Sequence, residues 1–234
     1  LFAQEAAAKV PVPGPDRRPR VAEVFGYLLR VPTFHFLLLK TMLSGFTIWI
    51  FLSWLPLYFR EVFHFSLGGA GFAGTFMLQV AFVLGMAVGG WLSDVVAANH
   101  PRRRLLMLAL CYISAAPFLL IFLGNPGFAA VVFAISTFSF LRGMGDSCEK
   151  PALCEVVPAR YRSTAIGLMN ACANLNGGIG VFLVGYMKGA MTLNAMFACL
   201  AGILLLAGLV SWIGWRFFMP RDITRRLENE PVSR

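Results

Sequence analysis

The sequence predicts an all-α membrane protein with six transmembrane helices, and three observations carry that prediction. Hydrophobic residues fill 58% of the 234 positions and charged residues only 13%, with a mean hydropathy of +0.72. Soluble domains hold nearer a quarter charged residues. The apolar residues gather into six runs, each long enough for a helix to cross a hydrocarbon core, which takes about 20 residues. The basic residues collect in the gaps between those runs. A net charge of +9 also raises a nucleic-acid partner, but such a footprint forms a patch or stripe on one face. Gaps between spans are instead where cytoplasmic loops concentrate Lys and Arg, so no nucleic-acid partner is expected. Twenty-two Phe against five Tyr suits packing against lipid and between helices.

Residues 1–32 form a polar leader in which Pro11, Pro13, Pro15 and Pro19 alternate with Arg17, Arg18 and Arg20. Proline at that density blocks regular helix, so the leader reads as a flexible connector with a short amphipathic surface helix at 22–29. The first span covers residues 33–58. Trp49, Trp54 and Tyr58 near its far end resemble an interfacial aromatic belt, and Pro56 marks where it loosens. The second span is 69–94, where Gly85-x-x-x-Gly89 suits close approach of a neighbouring helix. The third, 105–123, is kinked at Pro117, and Gly124-Asn125-Pro126-Gly127 turns the chain back. The fourth is 128–148, followed by a polar stretch over 149–162. The fifth is 165–187, the sixth 193–218, and a polar tail occupies 219–234.

Charge sets the orientation. With the Arg102, Arg103 and Arg104 loop taken as cytoplasmic, sixteen basic residues fall inside and two, Arg60 and Lys188, fall outside. A bias of that size puts both ends in the cytoplasm, in a plasma or inner membrane. A chain opening on Leu1 with no signal-peptide pattern reads as a piece of a longer protein. Cys111, Cys148, Cys154, Cys172 and Cys199 make no C-x-x-C pair, and His35, His64 and His100 are scattered. Free thiols are therefore expected, with no metal and no cofactor.

Two loop patterns fall on the inner side. Gly89-Gly90-Trp91-Leu92-Ser93-Asp94 precedes Pro101-Arg102-Arg103-Arg104, and Glu155-x-x-Pro158-x-x-x-Arg162 leads into Ala165 and Gly167. Gly90-x-x-x-Asp94 with its basic cluster resembles the cytoplasmic loop signature of the major facilitator superfamily. It departs from that signature at Val95, where the family carries a basic residue, and in the insertion Ala97-Ala98-Asn99-His100-Pro101. The second pattern resembles the family's loop between helices ten and eleven: acid, proline, arginine, then a small-residue helix start. Over residues 33–218 the chain is similar to the carboxy-terminal six-helix half of a twelve-helix major facilitator fold. The resemblance implies that residues 1–32 end the central loop, and that an amino-terminal six-helix half belongs to the same parent chain. It further implies a secondary transporter whose two bundles rock about a midplane site. Gly90, Asp94, Arg102, Arg103, Arg104, Asp146, Glu149, Glu155, Pro158 and Arg162 are then the conformational or gating set, with Glu155 and Arg162 able to pair at the membrane edge.

Ionisable residues inside spans are functional hypotheses by default. Lys40 and Arg142 both lie about 10 Å inside the cytoplasmic boundary at 1.5 Å per residue. Thr33, Lys40, Ser44 and Thr47 share a stripe of the first span. Ser139, Arg142, Asp146 and Glu149 share a face of the fourth, with Arg142 and Asp146 at i, i+4. Asn170 and Asn174 are i, i+4 neighbours in the fifth, and Gln79 is the strong polar residue of the second. The expected substrate-binding set is Lys40, Ser44, Thr47, Gln79, Arg142, Asn170 and Asn174. Two cationic groups suggest a small organic anion, such as a carboxylate or sugar phosphate, with coupling to a proton or counter-substrate left open. Lys40 has no acid at i±3 or i±4 and is the expected free cation, whereas Arg142 keeps Asp146 ionised and makes it a poor proton carrier. Blander readings stand beside these: Lys40 snorkelling to the interface, Arg142 only neutralising Asp146 or Glu149, and Gln79, Asn170 and Asn174 as interhelical glue. Within the family the rival is an exporter of amphipathic compounds. An intramembrane enzyme would want a mid-membrane histidine; the histidines sit at span ends or in the basic loop, so no catalytic residue is expected.

Overall fold

The computed structural model describes residues 21–98 and 100–229. Residues 1–20, 99 and 230–234, which include most of the expected connector and the end of the tail, lie outside the described residues. The described chain is helical: α1 (Val21–Leu28), α2 (Pro32–Phe63), α3 (Leu67–Ala97), α4 (Arg103–Leu119), α5 (Phe128–Val156), α6 (Ala159–Met187), α7 (Leu193–Ile213) and α8 (Met219–Asn229). A 3₁₀ segment, Leu120–Gly124, extends α4, and a π-helical turn, Gly214–Phe218, joins α7 to α8. Six helical stretches are long and apolar enough to cross a membrane.

Local sequence explains the ends. Pro32 opens α2, where a missing N–H costs nothing. Ser66 and Thr192 cap α3 and α7 by accepting from the Gly69 and Ala195 amides, which are otherwise without an intrahelical partner. Asn125 takes the left-handed conformation at φ 47°, a region asparagine enters more readily than most residues, and the chain reverses there as expected.

Several helices outrun their apolar runs. α2 continues through Pro56 to Phe63. The polar stretch expected over 149–162 is almost all helix, with α5 running through Pro151 to Val156 and α6 starting at Ala159. Glu, Lys, Arg, Ala and Leu, all good helix formers, fill eight of its fourteen positions. Polarity there marks where a helix leaves the apolar layer, not where it stops. The expected polar tail likewise begins as α8. The expected aromatic belt is absent at Tyr58, which is fully buried in a ring cluster with Phe122 and Phe197 that closes the end of the bundle near the Asn125 turn.

The broadest interfaces are α3 against α5 and α2 against α6, followed by α4 against α5 and α7. Glycine makes the first two possible. A Cβ on Gly85 would strike the Phe140 carbonyl, one on Gly89 the Met144 backbone, and one on Gly143 the Phe82 carbonyl. Across the second interface Gly45 lies against Ala173 and Gly177 against Trp49. Helix backbones can approach this closely only where side chains are missing. The outer faces of α3 and α6 expose large apolar residues, among them Phe72, Val83, Trp91, Leu175 and Phe182.

Candidate functional site

The stripe on α2 and the polar face of α5 meet inside the bundle. Lys40 is 0% exposed, and its Nζ donates to Asp146 Oδ1 at 2.7 Å and to Glu149 Oε2 at 2.6 Å. Each carboxylate holds a second cation: Arg142 Nη2 lies 3.1 Å from Asp146 Oδ2, and Lys150 Nζ lies 2.6 Å from Glu149 Oε1. Tyr112 of α4 donates to Asp146 Oδ1 at 2.5 Å, so the 2.7 Å contact between Ser44 and Tyr112 has Ser44 as donor. Thr41 reaches Glu149 Oε2 at 3.0 Å, and the Lys40 ammonium also sits 4.4 Å from the Tyr112 ring centroid. Three cations thus face two carboxylates. Buried charges persist only when paired and hydrogen-bonded, and every member here is.

The cluster forms the inner wall of a cavity of about 380 Å³ lined by α2, α3, α5 and α6. Arg142, Asp146, Glu149 and Lys150 reach it, together with Ser44, Asn170 and Asn174. Its other wall is apolar, from Ile48, Trp49, Phe82 and Met86. The Arg142 guanidinium lies 4.6 Å from the Phe82 ring centroid, and Trp49 Nε1 donates to Asn174 Oδ1 at 3.1 Å. Such a surface offers cationic donors and amide groups to a polar end, and aromatic contact to the remainder.

A second charged group joins three helices at one end of the bundle. Arg104 of α4 lies 3.0 Å from Asp94 Oδ1 on α3 and 3.6 Å from Glu155 Oε1 on α5. Asp94 is largely exposed, with 77% of its side chain accessible, so this bridge is readily exchanged with water. Arg162 does not pair with Glu155. It donates instead to the carbonyls of Val157 and Cys154 at 3.1 and 2.8 Å, satisfying the end of α5 as a basic side chain can.

Residues 1–181 match the Major Facilitator Superfamily. This chain belongs to the Major Facilitator Superfamily. It is therefore a multi-pass integral membrane protein from a family of transporters, not of enzymes. It is 29% identical over 191 residues to the uncharacterized transporter YybO of Bacillus subtilis strain 168, a match covering 77% of this chain and 41% of that protein. Its fold is similar to the crystal structure of a bacterial homolog of the human lysosomal transporter Spinster in an inward-facing, unoccupied conformation. The TM-score there is 0.59 at 18% identity, covering 94% of this chain and 54% of the other. The chain thus spans about half the length, or less, of the relatives it matches.

Within this major facilitator chain the residues expected at the substrate site are divided. Ser44, Arg142, Asn170 and Asn174 line the cavity. Lys40 does not: it lies behind Asp146 and Glu149, so the expectation of a free cation fails, and so does the snorkelling alternative. Thr47 is fully buried and donates to its own helix at the Leu43 carbonyl, 3.1 Å away. Gln79 is exposed on α3 away from the cavity lining. Of the gating set, Arg104 alone among the three arginines pairs with Asp94, while Arg102 and Arg103 are exposed without an ion pair among the described residues. A Cβ on Gly90 would meet open space, whereas its neighbour Gly89 packs on α5. Pro158 caps the start of α6. Sequence reasoning missed Tyr112, Thr41, Lys150 and Trp49. The signal for Tyr112 was available, since a tyrosine deep in an apolar span needs a partner for its hydroxyl.

Proposed function

We propose that this chain is the carboxy-terminal six-helix half of a secondary transporter that works by alternating access and carries a small organic anion. The observation that carries the reading is the charge excess of the cluster, three cations against two carboxylates: Lys40 and the two acids are held inside, while Arg142 and Lys150, the latter with 39% of its side chain accessible, open into the cavity. A solute anion brought there would restore neutrality in a poorly solvated site, where an unbalanced charge is costly. Arg142 and Lys150 replace Lys40 as the recognising cations, with Asn170, Asn174 and Ser44 orienting the solute. Lys40 is the internal counter-ion that holds both acids. Two loop patterns in family order support assignment to the second half, and the basic-residue bias supports cytoplasmic ends in a plasma or inner membrane. Residues 1–32 then close the central loop and 219–234 form the tail. The apolar wall of Ile48, Trp49, Phe82 and Met86 favours a second reading within the family, an amphipathic anion exported from the membrane.

The test is solute binding by the purified full-length transporter. Carboxylates and phosphate esters should compete and matched amines should not. Arg142→Gln should weaken the competing anion by roughly 2–5 kcal/mol, the range for stripping one partner from a desolvated charge pair. Equal competition by amines would remove the anion reading. Dependence of affinity on chain length would favour the amphipathic form.

A further inference from the structure

Trp49 is fixed at the cavity wall from two sides. A Cβ on Gly177 would strike the indole at Cδ1 and Cγ, so the five-membered ring rests on the bare backbone of α6. About one turn earlier on α6, Asn174 Oδ1 accepts from the indole Nε1 at 3.1 Å. A side chain seated this way has little freedom left to lose when a ligand arrives. Trp49 is nonetheless 41% exposed and lines the cavity. Among the described residues no other aromatic ring packs on it or on Phe82. The amides beside the indole are oriented by what they accept. An indole N–H and an ammonium can only donate, so Asn174 turns Oδ1 to Trp49 and Asn170 turns Oδ1 to Lys150 Nζ at 3.4 Å. Both amides keep their Nδ2 groups as donors, next to an indole held in place.

We propose that the anion taken by this cavity is an aromatic carboxylate, its ring laid on the Trp49 indole and its carboxylate on Asn174, Asn170 and Arg142. The proposal rests on the anion reading of the same cavity and adds the ring to it. Asp146 and Glu149 stay bound to Lys40, and the three cations exceed the two acids by one. A single negative charge therefore balances the wall, and a second would not. Aromatic pairs gain from offset or edge-on contact beyond the area they bury, which a saturated ring of the same size does not. The bond from Trp49 to Asn174 sets a carboxylate donor directly beside the plate, so the acid group belongs on the ring or about one carbon from it.

The experiment titrates the purified full-length transporter with benzoate, cyclohexanecarboxylate and benzamide, reading affinity from shifts of the unfolding midpoint. The wild type should bind benzoate at least threefold tighter than cyclohexanecarboxylate and at least tenfold tighter than benzamide. Trp49→Leu should bring the ratio between the two acids below twofold, whereas Trp49→Phe, which keeps a ring, should hold it above twofold. Trp212→Leu, at an exposed tryptophan outside the cavity lining, should leave the ratio as in wild type. Should Trp49→Leu fail to purify, the wild-type ratio still decides, because a ratio below twofold overturns the proposal by itself. Equal affinity for the two acids, both well above benzamide, would remove the ring and leave the anion reading standing. Benzamide equal to benzoate would remove the anion reading and the proposal with it. A Trp49→Leu ratio equal to wild type would also overturn it.

Discussion

Replacing Lys40 by methionine removes the one cation that touches both buried acids. Its Nζ lies 2.7 Å from Asp146 and 2.6 Å from Glu149 at 0% exposure, so no water stands ready to substitute. Breaking a buried pair by deleting one partner costs about 3–5 kcal/mol. Asp146 keeps Arg142 at 3.1 Å and Glu149 keeps Lys150 at 2.6 Å, which places the loss near the lower end, about 3 kcal/mol. At about 2–4 °C per kcal/mol for a domain of this size, the unfolding midpoint should fall by about 6–12 °C. Adding Glu149→Gln takes away the charge left unbalanced and should recover about 1–2 kcal/mol, a coupling typical of contacting residues. The assay is thermal unfolding of the purified full-length transporter, followed by loss of the monodisperse peak. A Lys40→Met midpoint within about 2 °C of wild type, or a double variant no more stable than the single, would refute the reasoning.

Three further outcomes follow from the geometry. Gly85→Leu should destabilise by at least the roughly 1–3 kcal/mol of an overpacked core, because its Cβ meets the Phe140 carbonyl, whereas Gly202→Ala, facing open space, should leave the midpoint unchanged or raised. Arg104→Gln breaks contacts to Asp94 and Glu155 together; solute turnover should slow while equilibrium binding stays within about threefold, since surface pairs contribute about 0–1 kcal/mol. In a Cys-less background, cysteines at the exposed positions Asn125 and Ala190 should react with an impermeant thiol reagent on intact cells, and one at exposed His100 should not. The reverse labelling would invert the proposed orientation.

The six spans were legible because lipid demands long apolar runs, and nothing else in a chain of this composition produces them. Helix ends were not, as α5 shows: Glu149 to Glu155 is polar because it reaches the end of the bundle, yet it remains helix to Val156. Lys40 shows why the site was only half readable. Inspection at i±3 and i±4 finds partners on the same helix, whereas its acids lie 106 and 109 residues away. The face of α5 held the missing information. Two carboxylates, Asp146 and Glu149, share it with one arginine; Lys150 of the same helix answers part of that excess, and Lys40 is the lysine inside a span as the apolar runs draw it. Thr47 misled because a threonine on a polar stripe satisfies itself against its own helix, at the Leu43 carbonyl.

The glycine seams carry a mechanical consequence. With no side chains between them, α3 and α5 form one stiff plate, and α2 and α6 form another. Direct packing of α2 on α5 is slight by comparison, and Lys40 crosses that gap like a pin between two leaves of a hinge. Force applied at the pin turns one leaf against the other instead of bending either. Under the proposed anion reading, competition at Arg142 or Lys150 would loosen the grip on Asp146 or Glu149 and so act on the pivot directly. Glu155, less than two turns beyond Glu149 on α5 at 3.6 residues per turn, links that leaf to Arg104 of α4 and through it to Asp94 of α3, so the pivot and the Arg104 bridge share one end of the bundle.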